Sequence, residues 1–256
     1  MSEPLRIALA VEGDTDLIVI KAAIASLLLG REVEFTTLQP EHSLAFGILG
    51  GDTGMGWSGV YRWCRQTASE GGGRVSGSAL FKFHDILIVH IDGDVAGMTY
   101  ESANIEETIL DLPCKQPCPP ASATAAELRK VVLRWMGENA TPVRCVLCTP
   151  CMNMEAWVII ALFPTNSIFQ RKGPEGWECH ENPEGQLGQL PVSVRIRKTK
   201  SHYEGRKTEI AAAWPSVCAA SSEARRFSTD FHTVHGVAHA TKTSATGGAP
   251  TSAPSP

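Results

Sequence analysis

Residues Asp85–Asp94 read Asp-Ile-Leu-Ile-Val-His-Ile-Asp-Gly-Asp. An apolar, largely β-branched run of this kind is the signature of a strand buried on both faces, which places it inside a parallel sheet. A parallel sheet needs crossover helices between its strands, so the chain is expected to be α/β. The run ends in two carboxylates, Asp92 and Asp94, separated by Gly93. In open α/β sheets, ligands gather at the carboxyl ends of the strands. Carboxylates there suit a hard divalent cation such as Mg²⁺. A solvated Asp-Gly-Asp turn is the competing reading of the same residues.

The remaining pattern agrees with that class. Leu5–Val11 reads as a first buried strand, followed by Glu12-Gly13-Asp14-Thr15-Asp16 and an amphipathic helix, Leu17–Leu29, closed by Gly30. Asp14 or Thr15 is expected to cap that helix, and Asp16 falls in its first turn, where acids are favoured. Glu12 precedes the turning glycine, so capping does not account for it. Glu32–Leu38 looks like a second strand stopped by Pro40. The glycine-rich Gly47–Gly59 stretch lacks the Gly-Lys-Ser/Thr ending of a phosphate-binding loop and reads as a connection before a helix over Trp57–Glu70. Gly71–Ser78 is expected to be an exposed, mobile loop.

Further along, the spacing predicts a helix over Tyr100–Leu110, an extended proline-rich stretch over Leu112–Pro120, and an amphipathic helix over Ser122–Met136. A short strand (Val143–Cys148) and a helix (Asn153–Leu162) carrying Glu155 near its start come next. Pattern is lost from Pro164 to Pro191, as in a loop or lid, and Val192–His202 is basic, followed by Arg206 and Lys207. Helices over Thr208–Val217 and around Ser222–Phe227 complete the fold. The expected organisation is one α/β domain over residues 1–240, a mostly parallel sheet flanked by helices. It carries a glycine-rich insertion (about 40–80) and a lid excursion (about 164–200), and a disordered tail follows over 241–256.

Formal net charge is -4, so any affinity for polyanions must come from a local basic patch or from bound metal. Met1–Leu5 shows no signal-peptide pattern, and Leu17–Leu29 is too short to span a bilayer, so a cytoplasmic chain with no membrane partner is expected. The eight cysteines are then expected to be thiols or metal ligands rather than disulfides. Cys145-x2-Cys148-x2-Cys151 has Glu155 where a ferredoxin run would have its fourth cysteine, and a strand would turn Cys145 and Cys148 to opposite faces. Cys114-x3-Cys118 has no matching second pair. His232, His235 and His239, beside the expected tail, read either as a weak metal-binding group or as solvated surface residues.

Glu12, Asp92 and Asp94 each follow a buried strand and would project from the same sheet edge. Three carboxylates so placed repel one another unless a proton or cation intervenes. Mg²⁺ keeps open positions for phosphate oxygens, which points to phosphodiester chemistry. Val-Glu-Gly-Asp-Thr-Asp after the first strand, with Asp92-Gly93-Asp94 after a later one, resembles the Toprim domain of topoisomerases, primases and OLD-type nucleases. Met154-Glu155-Ala156-Trp157, the Lys198-Thr199-Lys200 to Tyr203 region and Arg225-Arg226-Phe227 resemble the stand-alone Toprim-like proteins grouped as DUF4276. The interval between Glu12 and Asp92 exceeds the usual Toprim spacing and implies an insertion.

The resemblance implies a Toprim-like (Rossmannoid) fold and a metal-dependent nuclease, a hydrolase acting on DNA or RNA and an effector in anti-phage defence. It puts Mg²⁺ (or Mn²⁺) on Asp92 and Asp94 and makes Glu12 a general acid/base or metal ligand, with Asp16 at a further acidic position. Glu155 is either a dipole-favoured acid or a ligand to a second metal. Lys200 or Arg206 would balance developing charge, unless these and the neighbouring Lys198 and Lys207 form only a solvated basic face. The alternative function is a non-catalytic or silent subunit of an ATPase complex, active only on assembly or release. A receiver-type phosphotransfer domain also places acids at strand ends, but over a much shorter interval.

Overall fold

A computed structural model describes residues 3–40, 54–106, 112–166 and 177–246. Strand β1 (Leu5–Ala10) leads into helix α1 (Asp14–Leu28) and strand β2 (Val33–Gln39). Helix α2 (Gly56–Glu70) and the single turn α3 (Leu80–Phe83) precede strand β3 (Ile86–His90). Helix α4 (Ser122–Trp135), strand β4 (Cys145–Cys148) and helix α5 (Glu155–Leu162) follow. Two short helices, α6 (Pro183–Gly188) and α7 (Lys200–Glu204), lead to α8 (Lys207–Ala220) and α9 (Ser222–Thr246). Among the described residues no helix is long and apolar enough to cross a membrane.

The four strands form one all-parallel sheet in the order β2-β1-β3-β4. Alternation along the strands builds a core on each face. Leu5, Ile7, Leu9, Ile86, Ile88, Val146 and Cys148 face a layer made by α1, α5, α8 and α9. Ala8, Ala10, Leu87, Val89, Cys145 and Leu147 face α2 and α4. β1, β3 and β4 are thus covered on both sides, which is why they read as unbroken apolar runs, whereas the edge strand β2 is only half-buried. Cys145 and Cys148 lie in different cores, as an i, i+3 pair on a strand must.

Each core has its own aromatic cluster. Trp57, Tyr61, Tyr100 and Trp135 pack together on one face, and the Trp135 Nε1–H donates to the Tyr100 hydroxyl at 2.8 Å. On the other face Trp157 meets Trp214 edge-on at 5.4 Å beside Phe227. Aromatic pairs at these separations add about 0.5–1.5 kcal/mol beyond the area they bury.

Several sequence expectations give way. Neither Asp14 nor Thr15 caps α1: the cap is Gly13, with no side-chain hydrogen bond, because Thr15 and Asp16 are turned inward and buried. Gly71–Ser78 is not a loose exposed loop, since Val75 is fully buried and its N–H donates to the Met136 carbonyl at 3.0 Å. Among the described residues of the helix expected over Tyr100–Leu110, the regular structure is a 3-10 turn, Glu101–Ala103, ended by Asn104 in the left-handed region at φ 53°. Residues 107–111 lie outside the described ones, as does 41–53 of the glycine-rich stretch.

The Pro164–Pro191 excursion, outside 167–176, packs Trp177, Leu187 and Leu190 onto the core, as Ile196 does beyond it. Thr241–Thr246, expected as the start of a disordered tail, are helical instead. Helix α9 runs on to Thr246, and 247–256 lie outside the described residues. The cysteines are not all thiols: Cys118 and Cys179 form a disulfide with Cα atoms 5.5 Å apart, because the proline-rich strap and the turn at Trp177 meet.

Candidate functional site

The chain passes from β1 to β2 on one side and reaches β3 on the other, so the strand order reverses between β1 and β3. At such a switch point the loops leaving the two strands diverge and open a crevice at their carboxyl ends. Glu12 leaves β1 and Asp92 leaves β3 there. Their ends are latched together: the Asp92 N–H donates to Glu12 Oε1 at 2.7 Å. The Glu12 carbonyl accepts from the Gly56 N–H at 2.9 Å, which seats the start of α2 on the same crevice. The result is a cleft of about 400 Å³ whose walls include Glu12, Asp14, Asp16, Asp92, Lys198 and Lys200.

The loop carrying Asp92 and Asp94 is locked against the segment after β4. Asp94 N–H donates to the Met152 carbonyl at 2.9 Å. Gly93 is pressed so closely on that segment that a Cβ there would lie 1.9 Å from the Cys151 carbonyl oxygen. The competing reading of these residues is a solvated turn: Gly93–Val95 is indeed a 3-10 turn, but Asp92 at its start is buried rather than solvated.

Asp16 projects from the first turn of α1 and is 2% exposed, and Glu155, from the first turn of α5, is fully buried. Glu155 Oε1 accepts from the Tyr203 hydroxyl at 2.9 Å and lies 3.4 Å from Lys198 Nζ, which also pairs with Glu184 at 3.2 Å. Five carboxylates foreseen from sequence, on Glu12, Asp16, Asp92, Asp94 and Glu155, therefore share one electrostatic neighbourhood. Lys200 stands on the cleft wall, but Arg206 does not. It pairs with Glu209 at 3.1 Å and lines a separate surface hollow with Arg195 and His202.

Burial and repulsion between neighbouring charges favour the protonated forms of Glu12, Asp16, Asp92 and Asp94. Burial, then the neighbouring Asp92 charge, hold the Glu12 carboxyl well above the usual carboxylate range. Asp16 is pushed up to about 7, by burial first and Asp92 second. Burial, then Glu155 and Asp94, push Asp92 up despite a backbone hydrogen bond from Met154. Burial also raises Asp94, opposed by Lys198 and by a hydrogen bond from Asn153. Burial alone would lower the Lys198 ammonium, but Glu155, Asp92 and Asp16 outweigh it and hold its proton more firmly than usual.

Sequence reasoning passed over three participants. His90, the last residue of β3, is fully buried with Nε2 3.2 Å from Asp92 Oδ1, and burial favours its neutral form. It is the one polar side chain inside the apolar run Ile86–Ile91, and that misfit is the signal that could have found it. Asn153 and Tyr203 have no comparable mark, because their roles depend on contacts far along the chain.

Three oxygens of this cluster, Asp16 Oδ1, Asn153 Oδ1 and Glu155 Oε2, are buried without a hydrogen-bond partner in the protein, and Asp92 Oδ1 has the His90 ring nitrogen 3.2 Å away without a hydrogen bond to it. An unpaired buried oxygen is costly, the more so on a carboxylate. The carboxylate and amide donors are oxygens and outnumber the lysines Lys198 and Lys200 beside them, which fits a hard divalent cation rather than zinc. Among the described residues, however, no three His, Cys, Asp or Glu side chains have drawn close enough to form a ready-made metal cage. Each acid is engaged by a protein group instead: Glu12 by the Asp92 amide, Asp92 by Met154, Asp94 by Asn153 and Glu155 by Tyr203 and Lys198. No protein-family model, curated protein or solved structure matches the chain.

Proposed function

We propose that this cleft is a Mg²⁺- or Mn²⁺-dependent phosphodiesterase centre of Toprim type, acting on DNA or RNA. The observation that carries the reading is the set of buried, partnerless carboxylate oxygens at the β1/β3 crevice. Asp92 and Asp16, with Asp94 and Glu155 behind them, are the residues that would hold the cation. When bound, such an ion activates water and offsets charge on a phosphoryl group.

The chain's own groups have separable tasks. Glu12, protonated more readily than an ordinary glutamate, is suited to hold and return a proton at its Oε2, the oxygen not occupied by the Asp92 amide. Lys200 on the cleft wall is placed to meet a backbone phosphate. Lys198 holds Glu155 and orients that side of the cluster together with the Tyr203 hydroxyl.

Incubating the wild-type chain with plasmid, linear DNA and tRNA in Mg²⁺ or Mn²⁺ tests the reading. Cleavage that Asp92→Asn and Glu12→Gln each reduce at least about 100-fold, with folding retained, is expected. Cleavage surviving both substitutions overturns it.

A second reading is favoured by Lys198. Its ammonium lies where cationic charge is wanted, 3.4 Å from Glu155, and so satisfies part of the cluster without metal. In that version the chain is a silent subunit of an ATPase complex, acting only on assembly or release. Protein that binds Mn²⁺ yet cleaves nothing until the ATPase partner is added would favour it.

A further inference from the structure

Three segments without regular structure meet at a second place, below the Asp92–Asp94 loop. They are the proline-rich strap Leu112–Pro120, the stretch after β4, and the turn at Trp177–Cys179. What they bring is sulfur. Cys118 is bonded to Cys179, and the thiol of Cys151 lies 3.8 Å from the Cys118 sulfur. Ala121, Cys151 and Met152, with Cys179 packed on them, form a small cluster separate from both main cores. Cys114, four residues before Cys118 on the same strap, is exposed and unbonded. The strap is turned back by a hydrogen bond from the Gln116 N–H to Thr124 Oγ1 at 2.9 Å.

We propose that Cys114, Cys118, Cys151 and Cys179 form a four-thiolate structural zinc site whenever the Cys118–Cys179 disulfide is reduced. In tetrahedral zinc with Zn–S bonds of about 2.3 Å, neighbouring sulfurs stand about 3.8 Å apart. Cys151 and Cys118 are already at that separation. Cys118 and Cys179, with Cα atoms 5.5 Å apart, reach it by side-chain rotation once their bond is open. The Cys-x3-Cys spacing of Cys114 and Cys118 lies within the range that paired zinc ligands use. While two of the sulfurs are bonded to each other no metal-binding group exists among the described residues, so reduction is the precondition.

The steps balance. Two thiols of a dithiol reductant become its disulfide, and the Cys118–Cys179 bond becomes two thiols. Zn²⁺ then displaces four protons from four thiols. Simple exchange, in which Cys151 attacks Cys118 and frees Cys179, is the competing chemistry. Exchange would leave Cys118 bonded to Cys151 and free Cys179, a different pattern from four zinc-protected thiols.

Such a site would fasten the acidic loop. The Cys151 carbonyl lies under Gly93, and the Met152 carbonyl accepts from the Asp94 amide. Next to Cys179, Glu178 accepts from the Ser222 and Glu223 amides at 2.8 and 2.9 Å, holding the start of α9. One ion would therefore tie the strap, the β4 loop and α9 together.

The test uses the full chain, reduced with dithiothreitol and freed of that reagent without oxygen, then loaded with ZnCl₂ or CoCl₂ alone. One metal per chain and a thiolate-to-cobalt charge-transfer band are expected. Alkylation followed by peptide mapping should show Cys114, Cys118, Cys151 and Cys179 protected by zinc and released by a chelator, with Cys218 indifferent. Cys151→Ser should weaken zinc by more than the roughly 100-fold that loss of an outer-shell partner costs. Should that variant not fold, the wild-type footprint decides alone. No charge-transfer band, or Cys114 and Cys118 alkylated equally with and without zinc, overturns the proposal.

Discussion

Replacing Gly93 by alanine probes how the acidic loop is held. Gly93 is not among the glycines in the left-handed region, so alanine meets no conformational penalty there. The penalty is contact: a Cβ would lie 1.9 Å from the Cys151 oxygen, 2.4 Å from its carbonyl carbon and 2.6 Å from the Pro150 oxygen. All three are backbone atoms, so no side-chain rotation relieves them. Reaching ordinary contact, 3.4 Å or more, moves the two loops about 1.5 Å apart.

That movement strains the Asp94 N–H bond to Met152, 2.9 Å long, and the Ile91 N–H bond to Cys148, already 3.3 Å. Overpacking costs about 1–3 kcal/mol and each weakened hydrogen bond about 1 kcal/mol, giving about 3–5 kcal/mol in all. For a chain of this size that is a fall in Tm of roughly 5–15 °C, readable by circular dichroism. Gly97→Ala is the control. Gly97 has φ +84° and nothing within 4 Å, so its cost is conformational alone, about 1–2 kcal/mol. A Gly93→Ala melt within about 2 °C of wild type, or a smaller drop than Gly97→Ala, would refute the packing described between the β3 and β4 loops.

Two further perturbations bear on the acid cluster. Asp16 has an ordinary value of 3.8 and a folded one of about 7, so the folded state holds its proton more tightly than the unfolded chain does. Stability from this group is full below pH of about 4 and lost as pH rises to about 7, amounting to up to about 4 kcal/mol. Urea titrations of metal-free protein should show that decline, flattened in Asp16→Asn and offset by Mg²⁺ at pH 8. A wild-type profile that rises over the interval would contradict the burial of Asp16. Tyr203→Phe removes the 2.9 Å hydrogen bond to buried Glu155 and should cost about 2 kcal/mol, measured as a lowered urea midpoint at unchanged slope. No loss would mean that the hydroxyl is not needed to keep Glu155 in place.

The parts of the fold that could be read from sequence are those governed by local periodicity. β1 and β3 announce themselves as apolar runs because each is covered on both faces, and α4 shows its buried side as Ala125, Leu128, Val131, Val132 and Trp135. The meeting of Glu12 with Asp92 follows from the same logic, since parallel strands put their carboxyl ends at one edge. Helix α9 shows where such reading stops short. Its composition is rich in Thr, Ser and His, which are mediocre helix formers. Yet Phe227, Phe231, Val234 and Ala238 recur at helical spacing, and all four are buried. That stripe, rather than propensity, carries the helix past Phe227. The Cys118–Cys179 bond was not readable, because it depends on the proline-rich strap meeting a turn 61 residues away.

The division between strand-end acids and later segments also bears on how the cleft is tuned. Any chain with this strand order and acids after β1 and β3 would crowd carboxylates at the crevice, and burial would then load them with protons. What opposes that here comes partly from the sheet, through His90 beside Asp16 and the Asp92 amide on Glu12, and partly from Lys198 outside it. Lys198 pulls down the proton affinity of Asp16, Asp92 and Asp94 alike. Tyr203 anchors Glu155, the cluster acid paired with that lysine. Lys198 is about one-third exposed, so its charge is partly screened, and its influence depends on being held within a few ångströms of Glu155. After burial, the ionisation of Asp16, Asp92 and Asp94 therefore depends in part on how firmly the basic segment before α7 is seated. Changes at Lys198 should shift proton and cation binding together, whereas changes within the sheet should chiefly alter stability.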